Sequence, residues 1–365
     1  MVDIVITYVN EYSEKWQKEF DYWKQKEIKE GKAEENNRQA FGKERTRDWN
    51  ALKYWFRGVE NNLPWINKVF LVVQNEEHIP EWINKDNPKL RIVYHDEYIP
   101  KELLPTFNAM TIGMYIANIE DLGEYYIMCD DDFYFLNPIK KDRFFKYGKP
   151  VHQDNKIPCE FYSGDTLTGS DNVFYRILNN NLAFEGRYMY EKVKYGFYHL
   201  PEARSKSFEK EILNNQKEEI LSRNSISKFR NKLNLCAYMY SDLLKIKDKA
   251  YIGNPYKNSC YCTLKSTVNF DDYWDKDIVC FNDTERLDDY IKTKEKFIDF
   301  LDRKFPNKSS FEKEWYTMPF KSQAQRKWAY TKEGTRALGG KKAVQEWERA
   351  TKGKLPKYTP KPKKK

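Results

Sequence analysis

Three consecutive carboxylates, Asp130, Asp131 and Asp132, stand at the end of a short apolar run, Tyr-Tyr-Ile-Met-Cys, and a second apolar run, Phe-Tyr-Phe, follows at once. Like charges this close repel one another and are costly to bury, so they call for a cation. A divalent metal with hard oxygen ligands, itself carrying a phosphate, meets that need most simply. An acidic turn facing water would account for the charges but not for the hydrophobic flanks. The same device recurs in Ile-Val-Cys-Phe-Asn-Asp, where apolar residues deliver Asn282 and Asp283. His199 ends an aromatic stretch just before Leu200 and Pro201. A solitary histidine is structural by default, but this loop position makes it a candidate for proton movement or covalent relay. Arginines such as Arg47, Arg57 and Arg230 are cations of the kind that neutralise charge during phosphoryl transfer. Together these groups point to phosphoryl or nucleotide-sugar chemistry. A P-loop and the dinucleotide-binding glycine fingerprint are both missing, which argues against an ATPase or a dehydrogenase.

The elements that must position these groups alternate. Val2 to Val9 reads as a first strand, bracketed by Asp3 and Asn10. Glu14 to Arg47 is highly charged, with Trp16, Phe20 and Trp23 at helical spacing, and reads as a helix followed by a mobile insertion around Gly31 to Asn37 with a solvated face. Asp48 can cap a helix carrying Leu52, Trp55, Phe56 and Val59, which Pro64 ends. Val69 to Val73 is a β-branched central strand followed by Gln74 and Asn75, and Arg91 to His95 is a third strand. Thr106 or Asn108 can cap a helix from Ala109 to Ile119, and Tyr125 to Cys129 is the strand that ends on the acids. This order predicts an α/β fold with a mostly parallel central sheet, in which ligands bind at the carboxyl ends of the strands. Gly164 to Asn172 is polar enough to line a site. Helices are expected at Ser207 to Leu221, at Ser227 to Leu244 with Arg230 near its start, and from Thr284 to Phe305.

With 365 residues, 33% charged and 16% aromatic, the chain has the composition of a folded protein with a very polar surface. No apolar stretch approaches the roughly 18 to 20 residues that span a bilayer, and no secretory signal is visible. Six cysteines do not make a disulfide framework; Cys260 and Cys262 could contribute to a metal site, but no second thiol pair joins them. The net charge of +9 is misleading. Met318 to Lys365 holds 15 Lys+Arg against 3 Asp+Glu, or +12, while the remainder has 49 basic and 52 acidic residues, or −3. Nothing in the main body supports nucleic-acid binding.

Several strings across the chain resemble the Stealth family of sugar-phosphate transferases. Val2 to Asn10 with Trp16 is similar to its first conserved region. Arg47-Asp48, Leu52-Lys53-Tyr54, Arg57, Pro64-Trp65, Ile79-Pro80-Glu81-Trp82, Leu104-Pro105-Thr106-Phe107-Asn108 and the three acids resemble the second. His199-Leu200-Pro201 with Ser227-Lys228-Phe229-Arg230 resembles the third, and Cys280-Phe281-Asn282-Asp283 with Phe305-Pro306 and Ser309-Ser310-Phe311-Glu312 the fourth. Four such regions in order over about three hundred residues are specific. The resemblance implies a nucleotide-sugar-transferase (GT-A or Rossmann-like) fold with helical additions. It also implies transfer of a hexose-1-phosphate, for example N-acetylglucosamine-1-phosphate, from a UDP-sugar to a glycan hydroxyl with release of UMP.

By the same resemblance Asp132, His199 and Arg230 would be catalytic, with His199 a proton carrier or nucleophile. Asp3, Arg47, Arg57, Asn75 and Asn108 would bind the donor, and Asp131, Asp132, Asn282 and Asp283 would hold Mg²⁺ or Mn²⁺. The partners implied are a UDP-sugar donor and an oligosaccharide or polysaccharide acceptor. The chain departs from the family where Asp130 replaces the usual Asn, where Ala51 and Gly113 replace frequent Glu, and where Asn75-Glu76-Glu77-His78 replaces an Asn-Gly-Gln turn.

The expected catalytic domain is 1–317, with an insertion at about 24–45 and a mostly helical part at about 205–250. A basic tail, 318–365, follows. The tail opens Met-Pro-Phe-Lys-Ser-Gln-Ala-Gln-Arg-Lys-Trp, which resembles the opening of small phage-encoded proteins, and reads either as a fused viral module or as an accessory hairpin of helices ending in a disordered Lys354 to Lys365. It reads as a solubilising extension or as a contact to an anionic membrane, glycan or nucleic acid. The expected location is cytoplasmic, with room for peripheral contact at the inner face of a bacterial membrane and a phage or prophage setting.

Overall fold

The continuous apolar runs form the centre of the structure, a computed structural model. It describes all residues except 155, 159–172, 189–192, 196–198, 314–319, 321, 338–343, 346, 349–350, 352–354, 356 and 358–365. Strand β1 is Val2–Thr7, helix α1 Glu14–Lys29, α2 Leu52–Asn62, β2 Val69–Val73, β3 Leu90–Tyr94, α3 Ala109–Met114 and β4 Tyr125–Cys129. After the three acids come β5 (Phe133–Phe135), β6 (Glu202–Ser205), helices α4 (Lys206–Asn215), α5 (Lys217–Asn224) and α6 (Tyr238–Ile246), strands β7 (Ser259–Thr263) and β8 (Ile278–Asn282), and α7 (Tyr290–Lys304).

The main sheet runs β6-β4-β1-β2-β3, parallel except for β6, which pairs antiparallel with β4. All five residues of β2 are buried, as a central strand covered on both faces requires. Alternate residues feed two cores. Ile4, Ile6, Leu71 and Ile127 pack with α2 and α7 on one face; Val5, Phe70, Val72 and Tyr126 pack with Met114 and with residues of α4 and α6 on the other. The chain therefore forms the expected α/β fold, with a mostly parallel sheet between helical layers.

A second sheet, β7-β8-β5, starts where the first stops. Helix α2 presses on it. A Cβ at Gly58 would lie 2.8 Å from the Phe135 carbonyl oxygen, so only glycine lets the helix approach this closely. That same oxygen accepts from Asn62 Nδ2 at 2.7 Å.

The helix expected from Ala109 to Ile119 ends at Met114 and is followed by a separate tight turn at Ile116–Asn118, and three further element expectations need correction. Asp48 does not cap α2, whose N-cap is Ala51; its Oδ1 accepts from Asn50 N–H at 2.7 Å in a local turn. Ser227 to Ala237 is not helical, because its own polar side chains capture the backbone. Ser227 Oγ accepts from Phe229 N–H, Asn231 Oδ1 from Leu233 N–H and Asn234 Oδ1 from Asn231 N–H. Helix α7 begins at Tyr290, capped by Asp289 Oδ1, and not at Thr284. Gly164 to Asn172 lies outside the described residues.

The chain divides into two units, Met1–Phe311 and Glu312–Lys365. The second contains short helices at Gln323–Ala329 and Lys332–Ala337 and a small core of Phe320, Ala329 and Val344 with Trp347 and Leu355. Among the described residues no helix is long and apolar enough to cross a membrane.

Candidate active site

The sheet order puts its topological switch between β1 and β4, where α/β folds leave a crevice at the carboxyl ends of the strands. Thr7 and Tyr8 at the end of β1 and Met128 to Asp132 at the end of β4 line a cavity of about 1470 Å³ there. Small-molecule sites occupy roughly 300–1,000 Å³, so this one has room for a donor and an acceptor together.

The acids sit on the seam between the two sheets. Asp130 closes a tight turn by accepting from Phe133 N–H through its carbonyl, and the Asp132 carbonyl accepts from Phe281 N–H at 2.8 Å. The side chains crowd. Burial raises the Asp131 carboxyl well above its usual range, and Asp132, Asp130 and Asp48 add to that. Burial likewise raises Asp130, with His199 opposing. Asp132 Oδ1 is buried with no hydrogen-bond partner among the described residues, while its Oδ2 lies 3.3 Å from His199 Nε2 and accepts from Cys280 Sγ at 3.3 Å.

Strand pairing explains how His199, nearly seventy positions away in sequence, arrives there. In the β6–β4 ladder Glu202 faces Met128, so the chain just before β6 runs beside the acids. The edge strand is fixed by Arg204, buried between Glu202 and Glu209. The imidazole stands edge-on to Phe133 at 4.9 Å and tilted to Tyr261 at 6.3 Å, and its Nδ1 lies 3.0 Å from the Tyr238 hydroxyl. Burial disfavours its protonation, but Asp132 and then Asp130 outweigh that and hold its pKa above the ordinary histidine value.

Arg230 comes from the loop that the local Ser and Asn bonds keep from being helical. Phe229, fully buried, is stacked on Phe107 at 5.1 Å and edge-on to Phe20 and Phe41. Glu27 of α1 accepts from Ser227 Oγ and from Lys228 N–H. Arg230 Nη1 donates to Gln39 Oε1 at 3.0 Å. Burial, and then Arg45, lower its pKa to about 10, still charged at neutral pH. Among the described residues neither Arg230 nor Arg45 has a carboxylate partner, although both line the cavity. A guanidinium charge left this way is suited to an anion.

Arg47 and Asp283 meet across the cavity wall at 2.8 Å. Trp49 Nε1 and Thr284 N–H complete the coordination of Asp283, so both its oxygens are taken. Asn282 also lines the cavity, and its amide donates to the Asp283 carbonyl. The structure thus gathers Asp131, Asp132, His199, Arg230, Arg47, Asn282 and Asp283 around one space.

Four other residues do not join them. Asp3 lies near the amino end of β1, at the opposite edge of the sheet, where Asn67 Nδ2, Lys68 N–H and Gly123 N–H donate to it. Arg57 is buried, donates to the Phe305 carbonyl at 2.8 Å and holds the end of α7. Asn75 caps a single turn by accepting from Glu77 N–H. Asn108 is fully buried, caps α3 through Met110 N–H and donates to Asn234 Oδ1 at 2.9 Å. Each is committed to the backbone it supports, and none lines the cavity.

Sequence reasoning missed Tyr238, Cys280, Gln39 and Arg45. Alternation along β8 could have found Cys280, which lies two positions before Asn282 and on the same face. Gln39 and Arg45 were hidden in a charged segment that reads as solvated. That segment is tied to the site: Asn37 Nδ2 donates to the Arg230 carbonyl.

The donor set can be tested against a divalent cation. Asp132 Oδ1, buried and without a hydrogen-bond partner among the described residues, and the Asp131 carboxyl oxygens, open to the cavity, are hard donors that fit Mg²⁺ or Mn²⁺. Asp283, already held by Arg47, would join only by exchange.

Residues 45–152 match the family model described as Stealth protein CR2, conserved region 2. The chain is 31% identical over 351 residues to the capsular polysaccharide phosphotransferase WcwK of Streptococcus pneumoniae, covering 86% of this chain and 98% of that protein. It is 28% identical over 341 residues to the receptor polysaccharide phosphotransferase WefC of Streptococcus oralis, covering 85% and 99%. The capsular polysaccharide phosphotransferase CpsJ of Streptococcus thermophilus is 36% identical over 160 residues, covering 42% and 64%.

Proposed function

The chain belongs to the Stealth family of polysaccharide phosphotransferases, and from that premise we propose that it transfers a hexose-1-phosphate from a UDP-sugar to a hydroxyl of a surface polysaccharide, releasing UMP. The relatives are named as phosphotransferases of a capsular or a receptor polysaccharide. The observation that carries the finer reading is the contact between His199 Nε2 and Asp132 Oδ2 at 3.3 Å, in a cavity that also holds Arg230, which has no carboxylate partner among the described residues.

In this reading the acceptor hydroxyl attacks the sugar-proximal phosphorus, and the bond from that phosphorus to the oxygen of UMP breaks. The His199–Asp132 pair takes the hydroxyl proton, which ends shared between Nε2 and Oδ2, and Tyr238 holds the ring from Nδ1. The raised pKa of His199 makes it the stronger base. Arg230, with Arg45 beside it, faces the charge that builds on the transferring phosphoryl oxygens. Arg47 is fixed on Asp283 and lines the donor side. A divalent cation held by Asp131 and Asp132, with Asn282 alongside, would neutralise diphosphate charge when bound.

The experiment is a nucleotide-release assay with a panel of UDP-sugars, Mg²⁺ or Mn²⁺ and candidate oligosaccharides. UMP as product, phosphorus retained in the glycan, and loss of both in His199→Ala are the expected results. Release of UDP would replace this reading with ordinary glycosyl transfer.

A further inference from the structure

The side of Asp132 that faces away from its unpartnered oxygen has a different chemistry. One donor each from Asp132, His199 and Cys280 lie within 4.8 Å of one another, and two of the separations, Cys280 Sγ to Asp132 Oδ2 and His199 Nε2 to Asp132 Oδ2, are 3.3 Å. Tetrahedral zinc, with bonds of roughly 2.0–2.3 Å, places its ligands roughly 3.3–3.8 Å apart. An oxygen, an imidazole nitrogen and a thiol form a poor set for Mg²⁺ and a suitable one for a borderline-soft cation.

We propose that Asp132, His199 and Cys280 form a zinc-type site at which a borderline-soft divalent cation shuts the enzyme off. The ligands come from three separate places in the chain that the fold brings to one point. Asp132 follows β4, His199 precedes β6, and Cys280 pairs with Phe133 on β8. Tyr261, which pairs with Cys280 on the other side, also touches the imidazole, so Cys280 lies on the face of the small sheet that His199 covers. The Tyr238 hydroxyl at Nδ1 is the outer-shell bond that fixes a metal-binding histidine and leaves Nε2 for the ion. Asp132 and His199 line the cavity, while Cys280 is buried beside them. On binding, the Cys280 thiol releases its proton to solvent and the sulfur binds the cation; Asp132 and the thiolate balance its two charges. With Nε2 and Oδ2 both on the cation, the His199–Asp132 pair can no longer take a proton. The inhibition rests on the base role of His199 given above, whereas the site itself does not.

Cobalt(II) titration of the full chain tests the site without turnover, so failure of the site and failure of the transfer reading are separately visible. One equivalent should give the near-ultraviolet thiolate-to-cobalt absorption and should be displaced by zinc. Cys280→Ser should abolish the band, and Cys260→Ser, whose thiol lies on the opposite face, should keep it. Tyr238→Phe should weaken binding about 10- to 100-fold. No band from folded protein, or a band that survives Cys280→Ser, overturns the proposal. If Cys280→Ser does not fold, His199→Ala decides: binding should weaken at least tenfold, and unchanged binding overturns the site. In the transfer assay, zinc should inhibit, and Cys280→Ser should need at least tenfold more zinc for half-inhibition; equal sensitivity overturns the inhibitory role.

Discussion

Asp3 and Asp132 occupy opposite ends of two neighbouring strands, β1 and β4, and both sit at the edge of the same buried sheet. Their surroundings differ. Asp3 is 2% exposed and receives three N–H donors, two from the backbone and one from Asn67. Asp132 has two carboxylates as sequence neighbours, one oxygen without a partner and a histidine as its nearest cationic group. A carboxylate surrounded by donors completes a fold, while one left short of donors is held ready for something the fold does not contain. At the amino end the chain uses an acid for stability, and at the carboxyl end it gives up stability to keep acids together.

The largest expected effect is at the carboxyl end. Asp132→Asn should lower kcat/KM by about 10²- to 10⁴-fold, the range for loss of general-base support. Its pH profile gives a sharper test. The base form of His199 is the active one, so wild-type activity should rise with pH through a pKa above the ordinary histidine value. Removing Asp132 leaves burial less opposed and should move that limb to lower pH; an unmoved limb would separate His199 from the reaction. The same pair stabilises the fold below the ordinary histidine pKa, and that contribution disappears as pH rises through the raised value.

Arg230→Lys should follow, with a loss of about 10²- to 10³-fold in kcat, because an ammonium cannot reproduce the guanidinium's planar donors. The comparison reverses at the amino end. Asp3→Asn turns an amide towards an N–H donor and should cost about 1–3 kcal/mol in urea unfolding, with kcat/KM of the folded fraction unchanged. Lost activity at intact stability would return Asp3 to the site. The smallest stability effect should come from Asp131→Asn, which relieves repulsion and should raise stability by about 0.5–1 kcal/mol while activity falls. Lower stability there would show that the acids are already satisfied in the free protein.

The parts of this protein that were legible in sequence are those whose reason for existing is local. Val69 to Val73 and Tyr125 to Cys129 are strands over the expected residues because a central parallel strand must be apolar throughout. The acids were legible because three carboxylates between two apolar runs have few explanations. Asp3, Arg57, Asn75 and Asn108 were assigned from resemblance, and one chain cannot tell a residue that serves a ligand from one that serves the backbone. Ser227 to Ala237 was misread because its apolar spacing suits a helix, while the competing bonds from Ser227, Asn231 and Asn234 depend on side-chain reach that spacing does not record. The segment from Glu14 to Arg47 looked solvated because its charges outnumber its aromatics, yet Glu27 and Gln39 hold the loop that presents Arg230.

The pairing of Arg47 with Asp283 spans 236 positions, so time enters the assembly of the site. At roughly 5–20 residues per second, a ribosome makes Arg47 roughly 10–50 s before its partner exists. The acids, the histidine and Arg230 are all synthesised within that interval, before the wall that closes the cavity. A nascent chain arrested before Asn282 is therefore predicted to show no transfer activity, and one released after α7 is complete to show it. The enzyme is silent while it is still being made.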